Sequence, residues 1–464
     1  MIQKGNRKII RGWAIYDWAN SVYNLVISSA IFPIFFDKLT KSAYKQANNL
    51  PLETYVRSED VTSFFLGVEL SSSVLYTYVL SVSFLFVSVL SPLLSGIADY
   101  SGKKKLFMKF FCYMGAISCC GLFFFDANRM ELSMIPFFLA SIGFWSSLVF
   151  YNSFLPEIAE PDDHDRVSAR GFTMGYFGSM ILLIVCLLWT MIFDGDVRYC
   201  FIFVGLWWVG FSQITYRVLP DNVYNRRREK GIIWKGFNEL KIVFKQFRNT
   251  VRLKRFITSF FFFNTGVQTV MLMATLYASR EIFEIPEEVR IRLSPEEIAD
   301  KETEGTTGLI IAILLIQILA ALGAFLLSRL SEKIGNLKAL TIVVAFWIPL
   351  CVFAYFIPQG GHFQFYLLAA AVGLVMGGVQ SLSRSSYAKF LPDTKDHASY
   401  FSFFDVTEKI GIVLGTFFFG FMEFIMDDIR ASILSIMFFF VVGLIALVRV
   451  PKEEKPLAVD YNQG

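Results

Sequence analysis

Charge is scarce in this chain. Only 18% of its 464 residues are Asp, Glu, Lys or Arg, against about 25% in soluble domains. Histidine is nearly absent, with His164, His362 and His397 alone. The six cysteines (Cys112, Cys119, Cys120, Cys186, Cys200, Cys351) include no CxxC pair, so neither a disulfide framework nor a zinc site is indicated. Lying mostly within apolar runs, they read as small buried hydrophobes. No G-x-x-x-x-G-K-[ST] occurs, which excludes ATP hydrolysis of that kind within the chain. Nor is there a secretory signal: the first apolar run extends from Trp13 past Phe36, too long for a signal-peptide core.

What replaces charge is hydrocarbon. Hydrophobic residues make up 55% and aromatics 17%, with 51 phenylalanines, too many for one aqueous core. The mean hydropathy is +0.52. These values exclude a soluble globular enzyme and a disordered chain, and leave a polytopic membrane protein. The apolar runs are helix-length, not ten-residue alternating strands, so a membrane β-barrel is excluded too.

A membrane-crossing helix needs about 20 mainly apolar residues. Twelve segments qualify: 13–36, 73–98, 106–126, 133–156, 171–193, 199–219, 256–279, 306–330, 339–357, 365–390, 400–425 and 431–450. They fall into two sets of six. The predicted organisation is a six-helix bundle at 1–219, a basic linker at 220–255, and a second bundle with a short tail at 256–464. The linker holds eleven Lys/Arg, Arg226–Arg228 among them, against three acids. Its amphipathic part, 234–247, suits anionic headgroups, and its lipid-buried neighbours argue against a nucleic-acid partner. Lys4, Arg7, Lys8 and Arg11 before span 1, and Lys103–Lys105 after span 2, are basic. The loop between spans 7 and 8 is rich in Glu281, Glu284, Glu287, Glu288, Glu296 and Glu297. By the positive-inside rule both termini and the linker are expected in the cytoplasm.

The two sets repeat one another. Gly96-Ile-Ala-Asp99-Tyr-Ser-Gly102-Lys-Lys-Lys105 follows span 2, and Arg329-Leu-Ser-Glu332-Lys-Ile-Gly335-Asn-Leu-Lys338 follows span 8, at an offset of 233. Phe154-Leu-Pro156-Glu157 and Phe390-Leu-Pro392-Asp393 follow spans 4 and 10 at an offset of 236. Two matches at nearly one offset imply pseudo-symmetric halves, the layout of transporters that rock about a central site. His164 and His397 each follow an acid at the same offset, so the repeat explains them as inherited loop residues and weakens the alternative of an intramembrane transferase.

The loop Gly96-Ile-Ala-Asp99-Tyr-Ser-Gly102-Lys103-Lys104 resembles the signature of the major facilitator superfamily. The box Tyr16-Asp17-Trp18-Ala19-Asn20-Ser21-Val22-Tyr23 in span 1 resembles its vacuole-effluxer-like branch, the family of the autophagy-related vacuolar amino-acid exporter. So do Phe154–Glu157, Arg170-Gly171-Phe172 with Gly175-Tyr176, Gln380–Ser385, and the Asp405 to Lys409 segment. Glu408 departs from the family pattern, which has a small residue there. The resemblance implies an all-α major facilitator fold and outward transport of amino acids without a cofactor. It also implies a latch at the loop signature that breaks when the inner gate opens.

Charges and amides inside lipid are costly and usually face a cavity or a partner. Asn20 and Asn24 share a face of span 1, about 10 and 16 Å inside the bilayer, with Asp17 one turn nearer its edge. Asn264 and Gln268 hold the equivalent places in span 7. Arg384 in span 10 and Asp405 in span 11 have matching depths, so an ion pair between them is expected. Asp405, Glu408 and Lys409 share one face. Substrate contacts are therefore expected at Asn20, Asn24, Tyr151, Asn264, Gln268, Gln380 and Arg384, with Trp145 as a further wall. Gating or coupling is expected at Asp17, Asp99, Gly102, Lys103, Arg170, Asp405, Glu408 and Lys409, with Glu408 foremost as a proton acceptor. Asp99 is placed to cap span 3 or pair with a base, Gly102 to make the tight turn, and Lys103–Lys105 to stay at the headgroups. Gly171/Gly175, Gly373/Gly377/Gly378 and Gly411/Gly415 predict close helix contacts. The expected partners are a small polar solute, a proton and the bilayer, for a monomer in a bacterial inner membrane. A lipid, peptide or sugar fragment is the alternative cargo.

Overall fold

In hydrocarbon every backbone N–H and C=O must be satisfied within its own segment, which makes helices of these apolar runs. The computed structural model describes residues 4–51, 56, 61–221, 232–426 and 428–453. The Arg226–Arg228 cluster and the tail from residue 454 lie outside them.

Twelve helices are long and apolar enough to cross a membrane: Arg7–Ala47, Val74–Ser101, Lys104–Phe124, Ala127–Ile158, Pro161–Met191, Arg198–Val218, Val251–Ile282, Glu296–Ile334, Asn336–Tyr355, His362–Phe390, His397–Met426 and Ile429–Val448. They are spans 1 to 12 in that order. Several outrun the apolar segments that mark them. Span 1 continues to Ala47, where the Lys41–Asp37 ion pair (2.8 Å) and the Thr40 hydroxyl on the Phe36 carbonyl (2.8 Å) serve a polar helical end. Hydropathy marks where lipid ends, not where the helix ends. For the same reason span 7 begins at Val251, inside the predicted linker.

Polar caps set other boundaries. Asn6 accepts from the Lys8 and Ile9 amides at the start of span 1, and Ser294 with Glu297 forms a capping box at span 8. Within span 1 the stretch Tyr23–Ala30 is a π-helix, and a second π segment, Ala278–Ile282, ends span 7. A two-stranded hairpin, Thr62–Phe65 with Val68–Ser71, precedes span 2.

The packing repeats with a period of six spans. Span 1 packs on spans 5 and 6, as span 7 does on spans 11 and 12. Span 3 packs on 4 and 6, as span 9 does on 10 and 12, and the pair 2–4 recurs as 8–10. Between the halves, span 2 lies against span 11 and span 8 against span 5, a reciprocal exchange. Glycines permit the tightest of these contacts. A Cβ at Gly373 would meet the Ile316 backbone and one at Gly411 the Thr265 hydroxyl, so both are packing glycines.

The N-terminus, the 2–3, 4–5, 8–9 and 10–11 loops and the helix Ile232–Asn249 share one face, here the linker face. That helix packs on spans 2 and 11, with Val243 buried and Phe244 and Phe247 against Phe403.

Candidate functional site

Spans 1, 2, 4 and 5 of the first half and 7, 8, 10 and 11 of the second enclose a central cavity of about 220 Å³. Asn20, Asn24, Asn264, Gln268, Gln380 and Arg384 all line it. The amide-bearing faces of spans 1 and 7 thus point into one space. The π segment of span 1 carries Asn24, Leu25, Ser28 and Ser29 along the wall. The Asn24 carbonyl accepts from the Ser29 hydroxyl (2.9 Å) within this segment. Such bulges favour functional positions.

At the linker-face end the floor is an ion pair between the halves. Arg384 of span 10 reaches Asp17 of span 1, Nη1 and Nη2 both 3.2 Å from Oδ2. Its other donors also go to the first half: Nη1 to Asn152 (3.2 Å), Nε to the Ser168 hydroxyl (2.9 Å) and Nη2 to the Ser168 carbonyl (2.8 Å). Its faces lie against Phe172 (4.1 Å) and Trp13 (4.9 Å). Tyr151 donates to Asp17 Oδ2 at 2.7 Å. A Cβ at Gly171 would collide with Asp17 and stand 2.8 Å from Arg384 Nη2, so only glycine leaves room for the pair.

This corrects the sequence reading twice. Arg384 pairs with Asp17, not Asp405: matched depth fixes height in the membrane but not which helix lies opposite. Tyr151 is no cavity wall. It is wholly buried beneath the floor, stacked on Trp13 at 4.5 Å, and holds Asp17 in place.

Above the floor stand buried polar atoms without a partner: Asn20 Nδ2, Asn264 Nδ2, Trp145 Nε1 and Ser383 Oγ. Glu408 accepts from Gln268 Nε2 (2.8 Å) and from Lys409 (2.9 Å) and faces the cavity. Lys409 is buried behind it, over the Trp145 ring at 3.6 Å, and bridges to Asp405 at 3.1 Å. Asp405 does not line the cavity; it takes a bond from Ser91 of span 2 (3.3 Å). Beside the cavity, sharing Ala274 and Ile316 with it, an apolar pocket of about 50 Å³ is walled by Trp347, Leu350 and Phe365.

Below the floor the linker face is closed by two matching grips. Asp99 accepts from the Ala398 and Ser399 amides (3.2 and 2.7 Å) at the start of span 11. Asp165, at the start of span 5, accepts from Ser331 (2.8 Å), Asn336 and Lys389 (2.8 Å). Gly102 (φ 67°) and Gly335 (φ 91°), the equivalent glycines of the repeat, make the left-handed turns beside each grip. Asp99 therefore caps span 11 across the interface, not span 3 of its own half. Lys104 is buried on Glu157, which also meets His397 (3.2 Å), and Lys105 is buried on the Leu219 carbonyl (2.7 Å), so neither stays at the headgroups. Lys103 is half-buried and contributes through its backbone, N–H to the Ala98 carbonyl (3.1 Å). Arg170 is exposed. On a helix it sits about 200° around from Ser168, the residue that meets Arg384.

The reading missed Asn152, Ser168, Tyr176 and Ser383. Tyr176 crosses the interface to Gln380 (2.7 Å). Ser383, in the quoted segment with Arg384, and Tyr176, in the Gly175-Tyr176 segment, carried a signal; Asn152 and Ser168 are ordinary helix residues until the halves are joined. The hydrogen bonds between the halves named above run from the linker face to the middle of the helices.

Two six-helix halves around a polar central cavity are the architecture of a membrane transporter of the major facilitator superfamily. Solved structures with this fold include a bacterial homologue of the iron transporter ferroportin in an outward-facing state (TM-score 0.63, 11% identity, 96% of this chain and 98% of that one). The human organic anion transporter MFSD10 also shares it (TM-score 0.65, 11% identity, 96% and 100%). The chain belongs to the family described as vacuole effluxer Atg22 like, whose model matches residues 5–457. It is 28% identical to the uncharacterized MFS-type transporter YxiO of Bacillus subtilis (strain 168), over 95% of this chain and 94% of that one. It is 24% identical to autophagy-related protein 22 of Saccharomyces cerevisiae (strain ATCC 204508 / S288c), over 94% and 90%. Family and fold are those of transporters, not enzymes.

Proposed function

We propose that this integral membrane transporter carries amino acids outward by alternating access, with a proton as coupling ion. The observation that carries the reading is the cavity wall. It joins a cation (Arg384), two carboxylates (Asp17, Glu408) and unpartnered amide donors of both halves around one space. Such a set suits a solute with a carboxylate and an ammonium group, because the charges of the wall match both ends and the Asn20 and Asn264 amides gain partners they lack. Glu408 is the proton acceptor of this scheme: it faces the cavity and shares Lys409 with Asp405. The effluxer family and the autophagy-related relatives support the direction. The Bacillus relative supports a bacterial cell membrane, and the basic loops support cytoplasmic termini. A monomer encloses the whole cavity. The apolar side pocket favours solutes with an apolar tail, and keeps an amphipathic cargo as the second reading.

Proteoliposomes loaded with labelled amino acids, lipids and sugars test this. Amino-acid flux driven by a pH gradient is the expected result. Flux of another class alone removes the amino-acid reading. Undiminished pH-driven flux in Glu408→Gln removes the proton acceptor.

A further inference from the structure

We propose that Arg384 and Asp17 are at once the bolt of the linker-side gate and the two halves of the solute site. The solute's carboxylate takes Arg384 and its ammonium takes Asp17, and this exchange unbolts the gate. The inference rests on the zwitterionic-solute reading above.

The geometry sets the problem. Arg384 belongs to the second half, yet each hydrogen bond described for its guanidinium ends on the first: Asp17, Asn152 and Ser168. Its flat faces are sandwiched there too, by Phe172 and Trp13. Opening the linker face separates the halves and must withdraw this side chain from its socket. Both members are about 95% buried, so withdrawal leaves two opposite charges without partners, a strongly unfavourable state. An empty carrier is thereby biased strongly toward the shut state, and cytoplasmic solute captured in its rare openings holds the linker face open.

The same pair forms the cavity floor, where a solute arrives. Donors for its carboxylate stand ready beside the bolt. Asn20, one turn above Asp17, is 1% exposed with Nδ2 unpartnered, and Ser383, next to Arg384, is 3% exposed with Oγ unpartnered. A ligand shifts an equilibrium only through its differential affinity for the two states. A zwitterion has that differential here, since it pairs with both charges only when they are apart. A lone amine or a lone acid serves one and strands the other. The bolt thus selects solutes carrying both charges, and ties gate opening to occupancy.

Paired spin labels at exposed loop positions 162 and 393, one on each half of the linker face, read the gate by distance in the full chain. Unliganded protein is expected to show the short distance alone. A mixture of the proteinogenic L-amino acids should add a longer distance. Neither the matching decarboxylated amines nor the matching deaminated acids should do so. Asp17→Asn and Arg384→Gln should each show the longer distance without solute, and Asp17→Glu, which keeps the charge, should stay short. Opening by amines or acids alone, to the extent seen with amino acids, overturns the proposal; that arm needs no variant. A wild-type distance in Asp17→Asn or Arg384→Gln overturns it as well. If both variants open while amino acids leave the wild type unmoved, the amino-acid reading fails and the bolt stands.

Discussion

Asp17 and Arg384 show how a residue is read correctly in kind and wrongly in company. A charge pair inside a membrane announces itself by its cost, and both residues stood out in the sequence for that reason. Their mutual contact did not, because a one-dimensional pattern gives depth and helix face but not the neighbour across an interface. Gly171 is the third member of this arrangement, and its missing side chain is the space the pair occupies. Gly171→Ala should cut transport about tenfold or more while costing about 1–3 kcal/mol in stability, the range for overpacking. Flux and thermal unfolding of the same preparation check this. Asn20→Ala and Asn264→Ala remove donors that have no partner in the protein. Each should raise the half-saturating solute concentration by roughly tenfold, in keeping with one buried hydrogen bond of about 1–1.5 kcal/mol. The maximal rate should change little; concentration-dependent uptake tells the two apart.

At the scale of elements, the twelve helices were legible because lipid imposes one length and one polarity on each. Their ends were less so: a polar helical extension such as 37–47 looks like loop when hydropathy is the guide. The π segment Tyr23–Ala30 was invisible, since no composition encodes a wider turn. It nonetheless decides which side chains of span 1 meet the cavity. Deleting one residue within it, to restore ordinary winding, should re-aim the side chains inside the segment, Ser28 and Ser29 among them, while the remainder of the span keeps its face. Insertion and yield should survive while flux is lost, as membrane fractionation and uptake would show. The grips were half legible. The repeat located Asp99 and Gly102, yet the target of Asp99 is a helix start some 300 positions away in sequence. Gly102→Ala should cost about 1 kcal/mol, because its φ of 67° is a left-handed turn.

At the scale of the whole molecule the linker face is closed, and the duplication explains how it changes state. The contacts 2–11 and 5–8 are related by the repeat, so they can loosen together. Asp165→Cys with Lys389→Cys, sites whose native side chains meet tip to tip across the interface at 2.8 Å, should be joined by a cleavable thiol-reactive bifunctional linker that abolishes flux, with recovery when the linker is cleaved. Flux that persists in the cross-linked carrier would show that this face need not open.

Both acids of the grips, Asp99 and Asp165, belong to the first half, and the donors that meet them (the Ala398 and Ser399 amides, Ser331, Asn336 and Lys389) belong to the second. A solitary six-helix unit would thus be an incomplete object, stable only beside a twin turned half a revolution from it. Severing the peptide between residues 222 and 231 should accordingly yield two fragments that reassemble when made in one cell. The covalent join adds proximity, whereas the partnership itself is made by acids of one half and donors of the other.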